Sequence, residues 1–239
     1  MKPESSRRYV VVGLGGVGGL VLRLLVPFLH QHEGRSTVLC IDGDTFEERN
    51  RARMFFDELG PKATVLAREL AAPYGDRVNL LPVDEYLTPQ RAGRILRDGD
   101  VVFCTPDNHA SRFLLERRCR RLSDVALFSG GNDGVEEGRT GTFGNVQIYL
   151  RADGRDVTNP LSAYHPEIAT PGEKPPTQQG CGAALASAPQ LLFTNAAVAS
   201  ALVGAFYAWR EGALDYEEAY LDVLTGRHVP VRRNLLGGA

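Results

Sequence analysis

Tyr9-Val-Val-Val-Gly-Leu-Gly-Gly-Val-Gly-Gly19 is the stretch that decides the fold of this 239-residue chain. A tyrosine and three valines read as a buried strand, and the glycines at Gly13, Gly15, Gly16 and Gly18 end it. A helix follows from about Gly16 to His30, apolar on most sides through Val17, Leu20, Val21, Leu24 and Leu25, as a helix packed on a sheet must be. A strand that turns through Gly-x-Gly-x-x-Gly into a helix is the setting in which backbone N–H groups approach a phosphate. Thr37-Val-Leu-Cys-Ile-Asp42 reads as the second strand, and Asp42 ends it at the spacing of an acid that binds a ribose hydroxyl. The expected ligand is an adenine nucleotide. On these two features NAD and ATP fit equally, and a tight turn with Asp42 as a strand-end cap needs neither.

Outward from this unit, short β-branched runs go on alternating with helical patterns. The spacing predicts a helix over 61–72, strands over 78–83 and 101–105, and a helix over 108–122 whose basic face reads as solvated surface. After a run at 125–129, the stretch 140–150 reads as a strand with no intervening helix, so it should extend the sheet antiparallel. The expected fold class is α/β. A Rossmann-like, mainly parallel sheet carries helices on both faces and is extended by antiparallel strands in the C-terminal half. One domain over 1–239 is expected, with a nucleotide-binding half (1–150), a crossover loop (151–190) and a C-terminal helix and hairpin (191–239). Pro, Gly, Thr and Gln fill the crossover loop, and loops of that length are usually functional.

Composition excludes several classes. Hydrophobic residues make up 43% of the chain and charged residues 23%, the balance of a globular protein. No apolar run reads as long enough to span a bilayer, and the polar start carries no signal-peptide pattern, so a cytoplasmic protein is expected. A net charge of −2 gives no electrostatic reason for a nucleic-acid or membrane partner. Cys40, Cys104, Cys119 and Cys181 are far apart, without the Cys-x-x-Cys pairs that hold zinc, so no zinc is expected. Cys40 and Cys104 sit in apolar runs, which leaves Cys181, between glycines, as the candidate nucleophile.

ATP is separated from NAD by Ile41-Asp-Gly-Asp-Thr-Phe-Glu-Glu-Arg-Asn-Arg-Ala-Arg-Met54, then Gly60-Pro-Lys62, then Cys104-Thr-Pro-Asp-Asn108. A triphosphate concentrates charge that Arg53 and Lys62 can neutralise and that Mg2+ must bridge. Asp107 follows a parallel strand, and a carboxylate at that end of the sheet suits Mg2+. Each residue also has an ordinary role open to it: Asp107 as a helix N-cap, Lys62 as a first-turn surface residue, Asp44 with Glu47 as a capping pair.

In this combination the chain resembles the ThiF/MoeB/HesA superfamily, whose fold is that of the ubiquitin-activating enzymes. The resemblance implies an ATP-dependent adenylyltransferase that activates the C-terminal glycine carboxylate of a ubiquitin-like or sulfur-carrier protein. It implies Asp42 at the ribose with Asp44 beside it, Asn50, Arg53 and Lys62 at the phosphates, and Asp107 at the metal and reacting centre. Cys181 falls where family members carry a reactive cysteine, so it would take the acyl group as a thioester, and a homodimer is implied. Alternatives are adenylation of a small molecule, peptide or tRNA-bound carboxylate, and a non-catalytic scaffold that keeps the fold. A nicotinamide oxidoreductase leaves Arg53, Lys62 and Asp107 unexplained. Departures from the family pattern are Arg49 and Arg51 in place of Ser and Leu, and Met54 in place of Gln. Arg7 or Arg8 would stand in for an arginine that family members supply to a partner subunit's site.

Overall fold

Strand β1 (Arg8–Val12) buries side chains on both faces, Tyr9 and Val11 into one apolar layer and Val10 and Val12 into another. A strand with no polar face needs cover on both sides, the condition of a parallel sheet between helices. The computed structural model, which describes residues 7–136, 138–172 and 190–232, has that arrangement. After β1 come α1 (Gly16–His32), β2 (Ser36–Ile41), β3 (Thr45–Phe46), a 3-10 turn (Glu48–Ala52), β4 (Gly60–Pro61) and α2 (Lys62–Tyr74). They are followed by β5 (Val78–Val83), α3 (Pro89–Ile95), β6 (Asp100–Cys104), α4 (His109–Cys119), β7 (Val125–Asn132), β8 (Val135–Glu136), β9 (Arg139–Thr140) and β10 (Phe143–Ala152). Last are β11 (Arg155–Asp156), α5 (Leu161–Tyr164), α6 (Pro166–Ala169), α7 (Leu192–Arg210), β12 (Glu218–Asp222) and β13 (Arg227–Val231).

The main sheet runs β13-β12-β10-β7-β6-β1-β2-β5, with β11 on β10. Neighbours from β7 to β5 are parallel, and β10, β12 and β13 are antiparallel. No crossover helix separates β7 from β10, so the chain can return only antiparallel. From β1 the sheet grows outward both ways, through β2 and through β6, which puts the topological switch point between β1 and β6. Open α/β sheets bind ligands at the strands' carboxyl ends beside that point.

Helices α1, α2 and α7 cover one face. There Phe206 of α7 meets the rings of Tyr9, Phe28, Phe103, Phe128 and Trp209 at centroid separations from 5.7 to 6.3 Å. Helices α4, α5 and α6 cover the other face with Leu115, Cys119, Leu161 and Ile168. By length and composition α7 is apolar enough to cross a membrane, which corrects the expectation that no such run exists. Its apolarity has another use here: Val198, Leu202 and Phe206 are buried against the sheet.

Two further expectations are corrected. The basic helix α4 is not merely a solvated face: Arg112, 7% exposed, donates to Ser129 Oγ (2.9 Å) and to the Gly130 carbonyl (3.0 Å). Fully buried Glu116 accepts from the Ser162 backbone and hydroxyl, both at 2.8 Å. Charges survive burial where each is matched, and these matches lie far off in sequence. The crossover stretch holds β11, α5 and α6, elements too short to show a period. Arg8 is engaged within its own chain, where Asp100 takes its guanidinium in a two-point contact, at 2.8 Å through Nε and 2.6 Å through Nη2.

His165, between α5 and α6, holds this flank by bonding Glu218 Oε1 (2.8 Å) and Glu167 Oε1 (3.0 Å). The Glu218 hydrogen bond, reinforced by Glu167 and opposed by burial, raises the imidazole above its ordinary value. A raised folded-state value stabilises the fold fully below the unfolded value and loses that stabilisation as pH rises through the folded one. Thermal unfolding should therefore show stability falling as pH climbs past the ordinary histidine range. His165→Gln should flatten that slope, and an unchanged slope would remove His165 as its source.

Candidate functional site

The glycine loop is clamped between the ends of β2 and β6. Gly13 N–H donates to the Ile41 carbonyl (2.9 Å), and Thr105 Oγ1 donates to the Gly13 carbonyl (2.6 Å) and the Val12 carbonyl (3.0 Å). Gly13 takes φ +84°, and a Cβ there would stand 2.6 Å from Pro106 N, so both conformation and space require glycine. At Gly18 a Cβ would lie 1.8 Å from the Gly13 carbonyl oxygen. Helix α1 therefore starts on Gly15 with no side-chain cap and no acidic residue in its first turn. Its first N–H groups and the positive end of its dipole face the crevice, which is a fit for a phosphate.

Asp42 is 8% exposed and braces this loop, its Oδ2 accepting from Leu14 N–H (2.5 Å) and its Oδ1 from Asp44 N–H (2.7 Å). Burial pushes its carboxyl upward, and the Lys62 charge pulls the other way. Each oxygen keeps a second lone pair, so a ribose hydroxyl can still be bound. Lys62, expected either at the phosphates or on the surface, is buried, with 7% of its area exposed, and its Nζ stands 3.0 Å from Asp44 Oδ2. Burial pushes Asp44 up, but the Lys62 charge and the Tyr86 and Lys62 hydrogen bonds outweigh it and hold the carboxyl low. The surface role for Lys62 is thereby corrected: β3 pairs with β4 and draws the start of α2 under the crevice.

Asn50 is buried and completes a capping box with Glu47, its Oδ1 accepting from Glu47 N–H at 2.8 Å. Glu47 thus caps with Asn50 rather than with Asp44, and Asn50 is committed to shaping the turn that carries Arg53. Arg53 closes that turn, its N–H bonded to the Asn50 carbonyl at 3.0 Å. Met54 follows, with Cε 3.7 Å from a Cβ placed on Gly15, so this departure from the family pattern lies directly on the glycine loop. Arg51 and Met54 also border a hollow of about 470 Å³ beside Arg23.

On the other side of the switch point, Asp107 is exposed just beyond β6. It is not the N-cap of α4, because Asn108 Oδ1 takes that place, accepting from Ser111 N–H at 2.8 Å. Among the described residues no cluster of three or more metal-ligating side chains exists, so Asp107 fits Mg2+ only in the mode where phosphate oxygens and water complete the shell.

Tyr86 and Thr105 were not singled out by the sequence. Tyr86 lies under Gly43, where a Cβ would come within 2.7 Å of its ring, and its hydroxyl bonds Asp44. Burial and the Asp44 hydrogen bond raise this phenol, and the charges of Asp44, Asp42 and Asp107 add to the rise. One phenol thus senses carboxylates from both sides of the switch point. A lone tyrosine in a polar loop carries no sequence signal of such a role. Cys181 lies outside the described residues. Of the described thiols, burial pushes Cys40 up to about 12 and raises Cys104 and Cys119, so none of these is a ready nucleophile.

The family described as ThiF matches residues 2–218. Among curated proteins, the adenylyltransferase and sulfurtransferase uba4 of Aspergillus clavatus is 30% identical over 128 residues, 52% of this chain and 24% of that protein. The SAMP-activating enzyme E1 of Haloferax volcanii is 27% identical over 118 residues, 48% of this chain and 42% of that protein. This chain therefore aligns with less than half the length of either relative. Among solved structures, E. coli MccB with ATP superposes with a TM-score of 0.66 at 13% identity, covering 95% of this chain and 63% of that one. The crystal structure of PaaA gives 0.63 at 16% identity over 95% and 64%. Likeness at these identities is one of fold.

Proposed function

This chain belongs to the ThiF family, and on that premise we propose that it uses ATP to adenylate the C-terminal glycine carboxylate of a ubiquitin-like or sulfur-carrier protein. The observation that carries this reading is the uncapped start of α1 at the switch point, with Asp42, Asp44 and Lys62 on one side and Asp107 on the other. ATP supplies an electrophilic α-phosphate and a pyrophosphate leaving group. The chain binds and orients. Asp42, with Tyr86 and Asp44 beside it, receives the ribose, α1 offers N–H groups to the phosphates, and Lys62 and Arg53 set positive charge against them. Asp107 would hold Mg2+ against phosphate oxygens. No protein nucleophile is needed for this step, since the incoming carboxylate is the nucleophile and positioning lowers the barrier. Cys181 is the proposed later acceptor of the acyl group. A homodimer belongs to the same reading, supported by Leu24, Phe193 and Tyr207, large apolar side chains left exposed on α1 and α7.

ATP–pyrophosphate exchange tests the proposal. Exchange that requires a carrier ending in Gly-Gly supports it, and exchange driven by a small acid or peptide moves the chain to the alternative substrate class. Nucleotide binding without any exchange makes it a scaffold. In Asp107→Ala, half-maximal exchange should require more Mg2+, and an unchanged Mg2+ dependence would overturn the metal assignment.

A further inference from the structure

The first turn of α7 brings a second polar group to the start of α1. Thr194 Oγ1 donates to the Gly141 carbonyl (2.9 Å) and fixes that turn. Next to it, Asn195 is fully buried, and its Oδ1 accepts from Nδ2 of Asn132 at the end of β7 (2.8 Å). Asn195 Nδ2 has no hydrogen-bond partner among the described residues. It faces the glycine loop closely: a Cβ on Gly16 would stand 2.1 Å from this nitrogen and 3.1 Å from Gln190 Oε1. A buried donor without an acceptor costs stability, and one beside an uncapped helix start is suited to an acceptor that arrives with a ligand.

The flank on which Asn195 lies says which acceptor. Gly15 faces Met54 and the turn that carries Arg53, whereas Gly16 faces α7. The cations Lys62 and Arg53 belong to the first flank, which draws the polyphosphate there. The groups nearest Gly16 are the neutral amides of Asn195 and Gln190 beside the helix N-terminus, which suits a single carboxylate. We propose that Asn195, oriented by Asn132, donates from Nδ2 to the carboxylate of the acyl substrate and aligns it with the α-phosphate. This inference rests on the adenylation reading above.

Carrier-dependent exchange in wild type, Asn195→Ala and Asn195→Asp tests it, with a ubiquitin-like carrier ending in Gly-Gly as the probe. Asp keeps the shape and the acceptor for Asn132 but places an anion where the donor stood. The carrier KM should rise about 10-fold in Asn195→Ala and further in Asn195→Asp, as expected for a lost hydrogen bond to a charged group. The ATP KM should stay at its wild-type value. Asn132→Ala, which releases the amide to rotate, should give a smaller rise in the carrier KM. A carrier KM unmoved in both Asn195 variants, an ATP KM that rises instead, or equal losses in both would overturn the assignment while leaving adenylation standing. A wild type without exchange overturns adenylation, and this role with it.

Discussion

Lys62→Ala should lower ATP-dependent exchange by about 10²–10³-fold, the usual loss when one preorganised charge partner of a transferring group is removed. Stability should suffer much less. The Asp44 side chain is 49% exposed, so solvent screens its 3.0 Å contact with Lys62 and the pair contributes at most about 1 kcal/mol. Buried Asp42 then stands beside Asp44 without a counter-charge and should take up a proton more readily, since the Lys62 charge is the largest influence opposing its burial, ahead of the Asp44 and Leu14 N–H groups. The melting temperature should therefore drop by only about 2–4 °C. Lys62→Ala/Asp44→Asn separates the two effects, because it removes the repulsion without restoring charge for the phosphates. Recovered stability with exchange still absent supports a phosphate role. Exchange that recovers with stability would make Lys62 a structural residue only.

The contrast between Lys62 and the glycine loop shows what a sequence can reveal here. The parallel core was legible because buried strands must be apolar on both faces, so Tyr9–Val12 and 101–104 announce themselves, and because a glycine loop between strand and helix has few other uses. Asp42 and Asp107 were legible as residues at the carboxyl ends of parallel strands and Lys62 as one at the start of a helix; in the structure Lys62 reaches Asp44, and Tyr86 lies within the influence of both Asp42 and Asp107. Burial of charge was illegible. Nothing local in Lys62, Arg112 or Glu116 tells that Asp44, Ser129 and Ser162 wait for them 18, 17 and 46 residues away. Single-residue choices were illegible for a related reason. Asp107 and Asn108 are both good caps, and only the path of the backbone out of β6 settles that Asn108 turns inward. The sequence offers the run of α7 only as a C-terminal helix, yet its Asn195 faces the glycine loop, a contact between residues remote in sequence.

Gly18→Ala should abolish nucleotide binding and exchange and lower the melting temperature by about 10 °C. The new methyl would stand 1.8 Å from the Gly13 carbonyl oxygen and 2.5 Å from Thr105 Oγ1. No flexible side-chain end can yield, because the near atom is backbone held by the Thr105 hydroxyl and by Gly13 N–H on Ile41. Overpacking of this kind costs about 1–3 kcal/mol, and displacing Gly13 from Thr105 adds about 1 kcal/mol. The loop must move outward, into the space a phosphate would take. Gly19→Ala is the matched control. Its methyl would meet Leu66 Cδ1 at 3.7 Å and the Leu14 carbonyl oxygen at 3.8 Å, both ordinary contacts. Alanine in a helix interior is favoured over glycine by about 0.5–1 kcal/mol, so this variant should bind nucleotide normally and melt slightly higher. Calorimetry and an ATP-binding titration on the pair decide the matter. If Gly18→Ala binds and melts as Gly19→Ala does, the glycine at 18 is not what lets α1 begin against the phosphates.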